Sequence, residues 1–334
     1  MKRKDLEEYV HPISGARLEL RVDEETAGEV VSGGLIAGDD EFHIIRGIPR
    51  FCPTENYGNS FGYQWQKFSV TQLDSHAPWD ARSEKRLAKE THWPSRMEGQ
   101  RILEAGSGMG RFTEVLARSG ARVCTFDYSA AVDANYRNNG AAENVCFAQA
   151  DIYSPPYPQG SFDKVLCVGV LQHCPSPHKA MLSLSRFLKP GGEIVIDVYR
   201  LSWRSLFLGK YYLRPLTRRI PPETLYRFVR FHVGWVYPLT GLVQKVIGRP
   251  GRSLSWMLGM ADYRGKFAVD DATLREHSLM DTFDMLAPAY DRPQTQRMVR
   301  RWFEEAGLVD FDVHPGVNGL EARGHRPNQA TTDA

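Results

Sequence analysis

Residues 101–112 read Arg-Ile-Leu-Glu-Ala-Gly-Ser-Gly-Met-Gly-Arg-Phe, a strand-like run that ends in three alternating glycines and enters a helical pattern. Glycines in such a turn leave no Cβ between the backbone and a ligand. The helix that starts there turns its amide dipole toward the same spot. A strand–turn–helix unit of this kind needs a parallel sheet around it, and the chain supplies the rhythm of one. Ala121 to Phe126, Val145 to Gln149, Lys164 to Gly169 and Glu193 to Val198 read as further strands. Helices are predicted over 130–138 and over 178–188, the latter stopped by Pro190-Gly191-Gly192. In the first helix, Phe112, Val115 and Leu116 are spaced to cover a sheet face. Near the end, Thr295 to Ala306 is amphipathic, with Met298, Val299, Trp302 and Phe303 expected inward, before two last strands at 309–314 and 319–324.

Two stretches stand outside that rhythm. Residues 1–56 hold short β-like pieces and glycine, and end in Arg46-Gly47-Ile48-Pro49-Arg50-Phe51. Residues 200–270 form an insert whose first 67 residues, 200–266, carry thirteen Lys or Arg against two acids, interleaved with aromatics. The expected organisation is therefore a small β-rich segment (1–56), a core (57–199), a helical insert (200–270), the C-terminal part of the core (271–326) and a disordered tail (327–334).

The charge balance, +2 overall, makes no case for a nucleic-acid partner. The charged N-terminus excludes an ordinary secretory signal, and no apolar run approaches the length of a membrane span. The five cysteines (Cys52, Cys124, Cys146, Cys167, Cys174) form no CxxC pair and sit mainly in apolar runs, as reduced core residues of a cytoplasmic protein would.

A glycine-rich turn alone does not choose between cofactors, because nicotinamide and flavin enzymes use a related loop. Here the dinucleotide pattern would need glycine at position 111, which is Arg111. Glu104 places a carboxylate beside the loop, for a cationic ligand end or for holding the loop itself. Asp127 closes the second strand, where an acid accepts both hydroxyls of a ribose. Asp151 closes the third strand, either accepting from an adenine amino group with Ile152 against the ring, or capping a turn.

Leu103 to Phe112, Phe126-Asp127-Tyr128-Ser129, Gln149-Ala150-Asp151-Ile152, Ser161 to Val165 with Gly169 to His173, and Leu188 to Gly192 fall in order over about 100 residues. In this the chain resembles the class I S-adenosylmethionine (SAM) dependent methyltransferases. The resemblance implies an α/β, Rossmann-like sheet of seven strands with the last antiparallel, and helices on both faces. It implies SAM held by Glu104, Gly106, Ser107, Gly108, Gly110, Arg111, Phe112, Asp127, Tyr128, Asp151, Ile152 and Gly169. Ser60 to Trp65 is similar to a segment that covers the cofactor in such enzymes, so Tyr57, Phe61 and Trp65 are expected either to shield the sulfonium or simply to pack a helix. The first fifty residues are similar to a zinc-ribbon-like domain, but His11-Pro12-Ile13-Ser14 and Ala37-Gly38-Asp39-Asp40 stand where that family has Cys pairs. A metal-free remnant with its own small core, serving as a lid support or an interface, is expected.

Methyl transfer needs alignment, exclusion of water and, for a hydroxyl acceptor, a base. His173, after the fourth strand, is the first candidate for that base or else a brace for its loop; His277, Asp284, Tyr290 and His314 are secondary. No paired acids suggest a divalent metal. The function expected is methylation of a small or medium-sized acceptor (a natural product, a saccharide or a lipid-linked intermediate). The alternatives are an inert binding or scaffold subunit, other SAM chemistry, and a nicotinamide oxidoreductase. Tyr211, Tyr212, Arg214, Arg218, Arg219, Arg227 and Arg230 suggest an anionic acceptor or a peripheral membrane contact, or else the solvated faces of a helical cap. A homodimer is open.

Overall fold

The computed structural model describes residues 1–76, 81–203, 207–248 and 250–328. A 3-10 turn (Arg3–Glu8) leads into a four-stranded antiparallel sheet of β1 (Glu19–Thr26), β2 (Glu29–Ala37), β3 (Asp40–Ile45) and β4 (Ile48–Pro49), in that order. Helices α1 (Asn59–Lys67) and α2 (Arg82–Thr91) follow. Then come β5 (Arg101–Ala105), α3 (Arg111–Arg118), β6 (Arg122–Asp127), α4 (Ala131–Asn139), β7 (Val145–Gln149), β8 (Phe162–Cys167), α5 (Pro177–Ser185) and β9 (Leu188–Val198). The insert supplies α6 (Gly209–Thr217), α7 (Pro222–Ile247) and α8 (Pro250–Met257), followed by α9 (Asp271–Leu286). The chain closes with α10 (Gln296–Glu305), β10 (Val309–Pro315) and β11 (Leu320–His325).

The main sheet has seven strands in the order β10-β11-β9-β8-β5-β6-β7. The pairs β5–β6, β6–β7, β5–β8 and β8–β9 are parallel, whereas β11, the last strand of the chain, runs antiparallel between β9 and β10. The order reverses at β5, which puts the switch point, the usual ligand crevice of an open α/β sheet, at the Gly106–Gly110 turn. Strands buried on both faces read as continuous apolar runs, and Ile102, Leu103, Val123, Cys124, Val145 and Cys146 are all at most 1% exposed. Pro190-Gly191-Gly192 does not separate α5 from β9 but lies inside β9. There it bulges the pairing with β8 between the Phe162–Leu188 and Lys164–Glu193 pairs.

Four expectations need correction. Met298 is 44% exposed, because the buried stripe of α10 runs through Val299, Trp302 and Phe303 and leaves Met298 off its edge. The N-terminal segment does not keep a core of its own. Its Tyr9, Leu35, Ile44 and Phe51 share one apolar cluster with Phe126 and Ala148 of the main sheet and Tyr157 of the loop after β7. Helix α9, expected with the core, packs on the insert instead, its Met280 and Phe283 clustering with Leu225, Tyr226, Val229 and Val233 of α7. Arg214 marks no free anion site: it is buried and donates to the carbonyls of Met285 (3.0 Å) and Pro288 (2.8 Å), capping the end of α9. The tail expected to be disordered lies, from 329 on, outside the described residues.

The five cysteines are free thiols. No helix among the described residues is long and apolar enough to cross a membrane. Among them, too, no group of three or more His, Cys, Asp or Glu is gathered as a metal site would need.

Candidate active site

A cavity of about 700 Å³ opens between the C-terminal ends of β5, β6 and β8 and the cap formed by α6 to α9. The glycine turn makes one wall. Gly106 sits at φ +75°, where an L side chain is strained, and a Cβ there would meet Val170 Cγ2 at 2.3 Å. Gly108 lies under the indole of Trp65, whose Nε1 would be 3.2 Å from an added Cβ. Asp127 braces the turn: its Oδ2 accepts from Gly108 N at 2.8 Å, and its Oδ1 accepts from Ser129 N (2.8 Å) and Ser129 Oγ (2.7 Å). Burial raises its pKa.

Most expected cofactor residues meet on this wall. Tyr57, Phe61, Trp65, Gly106, Ser107, Gly108, Arg111, Phe112, Asp127, Tyr128, Ile152, Gly169 and His173 all line the cavity. Three do not. Gly110, at φ +94°, faces α4 rather than the cavity, and a Cβ there would meet Asn135 Oδ1 at 2.1 Å. Glu104 lies beneath the loop, its Oε2 accepting from Thr113 Oγ1 (2.5 Å) and Thr125 Oγ1 (2.8 Å). Asp151 accepts from Tyr153 N at 3.0 Å, while its neighbours Ala150 and Ile152 reach the wall. Burial pushes Glu104 up to about 7, with its two threonine donors opposing the shift.

Several buried polar atoms here lack a partner within the protein: Ser107 Oγ, Glu104 Oε1, and both Oε1 and Nε2 of Gln172. Buried polar groups are seldom left unpaired, so a wall of this kind fits a ligand rich in donors and acceptors. Arg111 donates to Ser83 Oγ (3.2 Å) and Gln72 Oε1 (3.0 Å). Burial, with the charges of Arg86 and Arg82 adding to it, lowers its pKa to about 9.

The cover is aromatic. Tyr57 packs at 4.5 Å against Tyr128 with the rings tilted and meets Tyr290 edge-on at 5.5 Å, and Phe61 meets the His173 ring at 4.9 Å. His173 is buried between Phe61 and Tyr199, and its Nδ1 lies 3.0 Å from the Tyr290 carbonyl. A carbonyl only accepts, so the proton is on Nδ1 and the Nε2 lone pair is free to accept. Burial lowers its pKa to about 4.

The far wall comes from the cap, and sequence reasoning missed most of it. Tyr199, Lys210, Tyr263, Asp281 and Asp284 line it, with Gln64 from α1 and Arg82 and Arg86 from α2. Tyr263 Oη donates to Asp281 in a short bond. Burial pushes Asp281 and Asp284 each up to about 6; the Lys210 charge and a hydrogen bond from Gln64 oppose the shift at Asp284. Of the secondary base candidates, only Asp284 is on the wall. His277 is buried behind it, the Tyr290 ring packs on the cover, and His314 is on β10 against Asp312. Gln172 alone had a local signal, its place beside His173 after β8.

Residues 103–196 match the family described as "Methyltransferase domain". The chain contains a class I, SAM-dependent methyltransferase domain. SAM is the cofactor of this domain. The N-terminal segment's likeness to a zinc ribbon is not part of that match. Among similar proteins is a ubiquinone biosynthesis O-methyltransferase of Ralstonia nicotianae, 28% identical over 49% of this chain and 74% of the relative. A demethylmenaquinone methyltransferase of Clavibacter sepedonicus is 37% identical over 29% of this chain and 40% of its own length. An uncharacterized protein of Synechococcus is 36% identical over 30% of this chain and 25% of its own. The chain thus spans between a quarter and three quarters of the length of these relatives. The methyltransferase match ends at residue 196, before the cap that forms the far wall.

Proposed function

We propose that this chain transfers the methyl group of SAM to a hydroxyl of a medium-sized acceptor that carries an aromatic or quinol-like ring. The observation that carries the reading is the two-sided cavity, with the domain's cofactor loop on one wall and a buried cluster of carboxylates and tyrosines on the other. Its volume suits a cofactor and an acceptor together. Two relatives named for ubiquinone and menaquinone steps support a ring acceptor, and Tyr199, Trp256 and Tyr263 offer apolar faces to one.

In this reading Asp127 accepts the ribose hydroxyls, Ala150 and Ile152 flank the adenine beside Asp151, and the Gly106–Gly108 backbone admits the methionine end. Arg111 holds the carboxylate of that end, Ser107 and Gln172 supply further hydrogen bonds, and Tyr57, Phe61 and Trp65 exclude water. Bound SAM supplies an already activated methyl group, so alignment and a proton acceptor are what the protein must add. A general base works best with a pKa near the operating pH. Burial brings Asp284 to about 6 but His173 down to about 4. Asp284 therefore takes the acceptor's proton, and neutral His173 orients the hydroxyl through Nε2. Residues 1–56 buttress the sheet, and the cap, including α9, shapes the acceptor side. A catalytically inert scaffold is less well supported, since such a chain has no use for unpaired polar groups around an open cavity.

Calorimetric titration of cofactor-stripped protein with SAM, S-adenosylhomocysteine and NAD tests the first half of the proposal. Micromolar binding of the first two and none of NAD is expected; binding of NAD alone would overturn it. Label transfer from methyl-labelled SAM to a panel of hydroxylated aromatic compounds tests the second half.

A further inference from the structure

Helix α7 buries one face and leaves another bare. Leu225, Val229, Val233, Tyr237 and Thr240 are at most 5% exposed and pack into the cap. On the outer side Phe228, Phe231, Trp235, Leu239, Leu242 and Val246 recur at intervals of three and four residues and are 44 to 78% exposed. That spacing puts them along one stripe of the helix, roughly 27 Å from end to end at 1.5 Å per residue. A continuous exposed apolar ridge of this length marks a contact surface.

Charge identifies the partner. Between residues 218 and 247 the chain carries Arg218, Arg219, Arg227, Arg230 and Lys245 against a single acid, Glu223. All five cations are exposed. A second copy pairing through this face would bring like charges together with few carboxylates to offset them. A bilayer with anionic headgroups offers the reverse, an apolar depth for the ridge and negative charge for its flanks.

The ridge is also joined to the cavity. Phe228 stacks on His232 at 5.9 Å, and His232 Nε2 donates to the Leu258 carbonyl at 3.0 Å. That bond ties α7 to the end of α8, where exposed Met257 adjoins Trp256 of the cavity wall. On α6 and its approach, cavity-lining Leu208 likewise adjoins exposed Phe207. The outer surface of the acceptor side is thus the apolar, basic surface itself.

We propose that the α7 ridge docks this protein on an anionic lipid surface, with the cap against the headgroups. The docking is independent of the acceptor's identity. It deepens the proposed function only by implying an acceptor that resides in the bilayer.

The test is co-sedimentation of the full chain with vesicles of phosphatidylcholine alone and with 30% phosphatidylglycerol. Binding to the anionic vesicles is expected, several-fold weaker to the neutral ones. The combined variant Phe231→Ser, Trp235→Ser, Leu242→Ser should lose at least tenfold in vesicle affinity. Arg227→Gln with Arg230→Gln, which leaves the apolar face intact, should lose about fivefold per cation at low salt. Both variants should keep wild-type affinity for SAM, which shows that they are folded. Unchanged vesicle binding in both would overturn the assignment to α7. So would absent vesicle binding by the parent, whether it is a monomer or a dimer that the triple variant splits. Failure of the parent to bind SAM would sink the proposed function and leave the vesicle result standing.

Discussion

The Nδ1–H of His173 donates to the backbone carbonyl of Tyr290 at 3.0 Å, which fixes the ring's tautomer and ties the turn after β8 to the segment after α9. The bond fixes the ring's orientation, and burial keeps it neutral at any pH above about 4. Replacing His173 by Gln should therefore raise KM for the acceptor more than it lowers kcat. An unchanged KM with a collapsed kcat would instead make His173 the base.

The Asp284→Asn variant separates the two residues further. A carboxyl with a pKa of about 6 must be ionised to accept a proton, so kcat should rise with pH through about 6 and level off above it. The amide should abolish that acid limb and lower kcat by about 100-fold or more, with SAM affinity little changed. Persistence of the limb in Asp284→Asn would exclude Asp284 as its source.

Asp127 holds the glycine loop itself, because it accepts from Gly108 N and Ser129 N, and in the proposed function it also holds the ribose. Asp127→Ala should weaken SAM binding by about 100-fold and cost about 1–3 kcal/mol of stability through the unpaired amides. Gly108→Arg, which crowds Trp65 at a positive φ, should abolish SAM binding without unfolding the chain. Titration calorimetry paired with urea denaturation reads both effects. Wild-type SAM affinity in both variants would remove this loop from the site.

Glu104 predicts a pH dependence of stability. The fold holds its proton up to about 7, whereas the unfolded chain gives it up near 4.5. The stabilisation from this protonated form is complete below about 4.5 and is lost as pH rises through 7. At about 1.4 kcal/mol per pH unit, the loss amounts to about 3–4 kcal/mol by pH 8. Glu104→Gln keeps an acceptor for Thr113 and Thr125 and cannot ionise. The wild type should therefore lose stability relative to this variant between pH 5 and pH 8 in denaturant titrations; parallel curves would refute the shift.

His11 and Asp40 lie 3.0 Å apart, Nε2 to Oδ2, and join the two turns where the resemblance pointed to missing Cys pairs. His11 Nδ1 accepts from Ile13 N and Ser14 N, so Nε2 carries the proton. No residue before Tyr57 lines the cavity. His11→Ala should cost about 1–3 kcal/mol of stability and leave SAM affinity unchanged. A parallel loss of SAM binding would show that the N-terminal sheet does more than brace the core.

The sheet was legible because strands buried on both faces are apolar runs, and β5, β6, β7 and β8 are each followed closely by a glycine or end at or near an acid where the chain turns. The loop was legible because Gly106, Gly108 and Gly110 all sit at positive φ, a local backbone demand that favours glycine. The neighbours that also exclude a Cβ there, Val170, Trp65 and Asn135, come from distant parts of the chain and gave no local signal. The cap side was opaque. Tyr199, Lys210, Tyr263 and Asp281 lie on separate elements that meet only in the folded protein. Arg214 misled because a guanidinium that caps carbonyls and one that awaits an anion are the same letter.

The N-terminal sheet also finishes the edge of the main one. On the side of β7 that no strand of its own sheet covers, the Phe147 carbonyl accepts from Tyr9 Oη at 2.8 Å and the Gln149 carbonyl accepts from Phe51 N at 2.8 Å. Arg50 bridges to Gln149 in parallel register and pairs with Asp133 at 2.9 Å. An open edge strand is a template for a strand from another molecule. The fifty residues that contribute nothing to the cavity therefore act as a built-in terminator. They close the β7 edge of this sheet, so that a strand from another molecule finds no open template on that side.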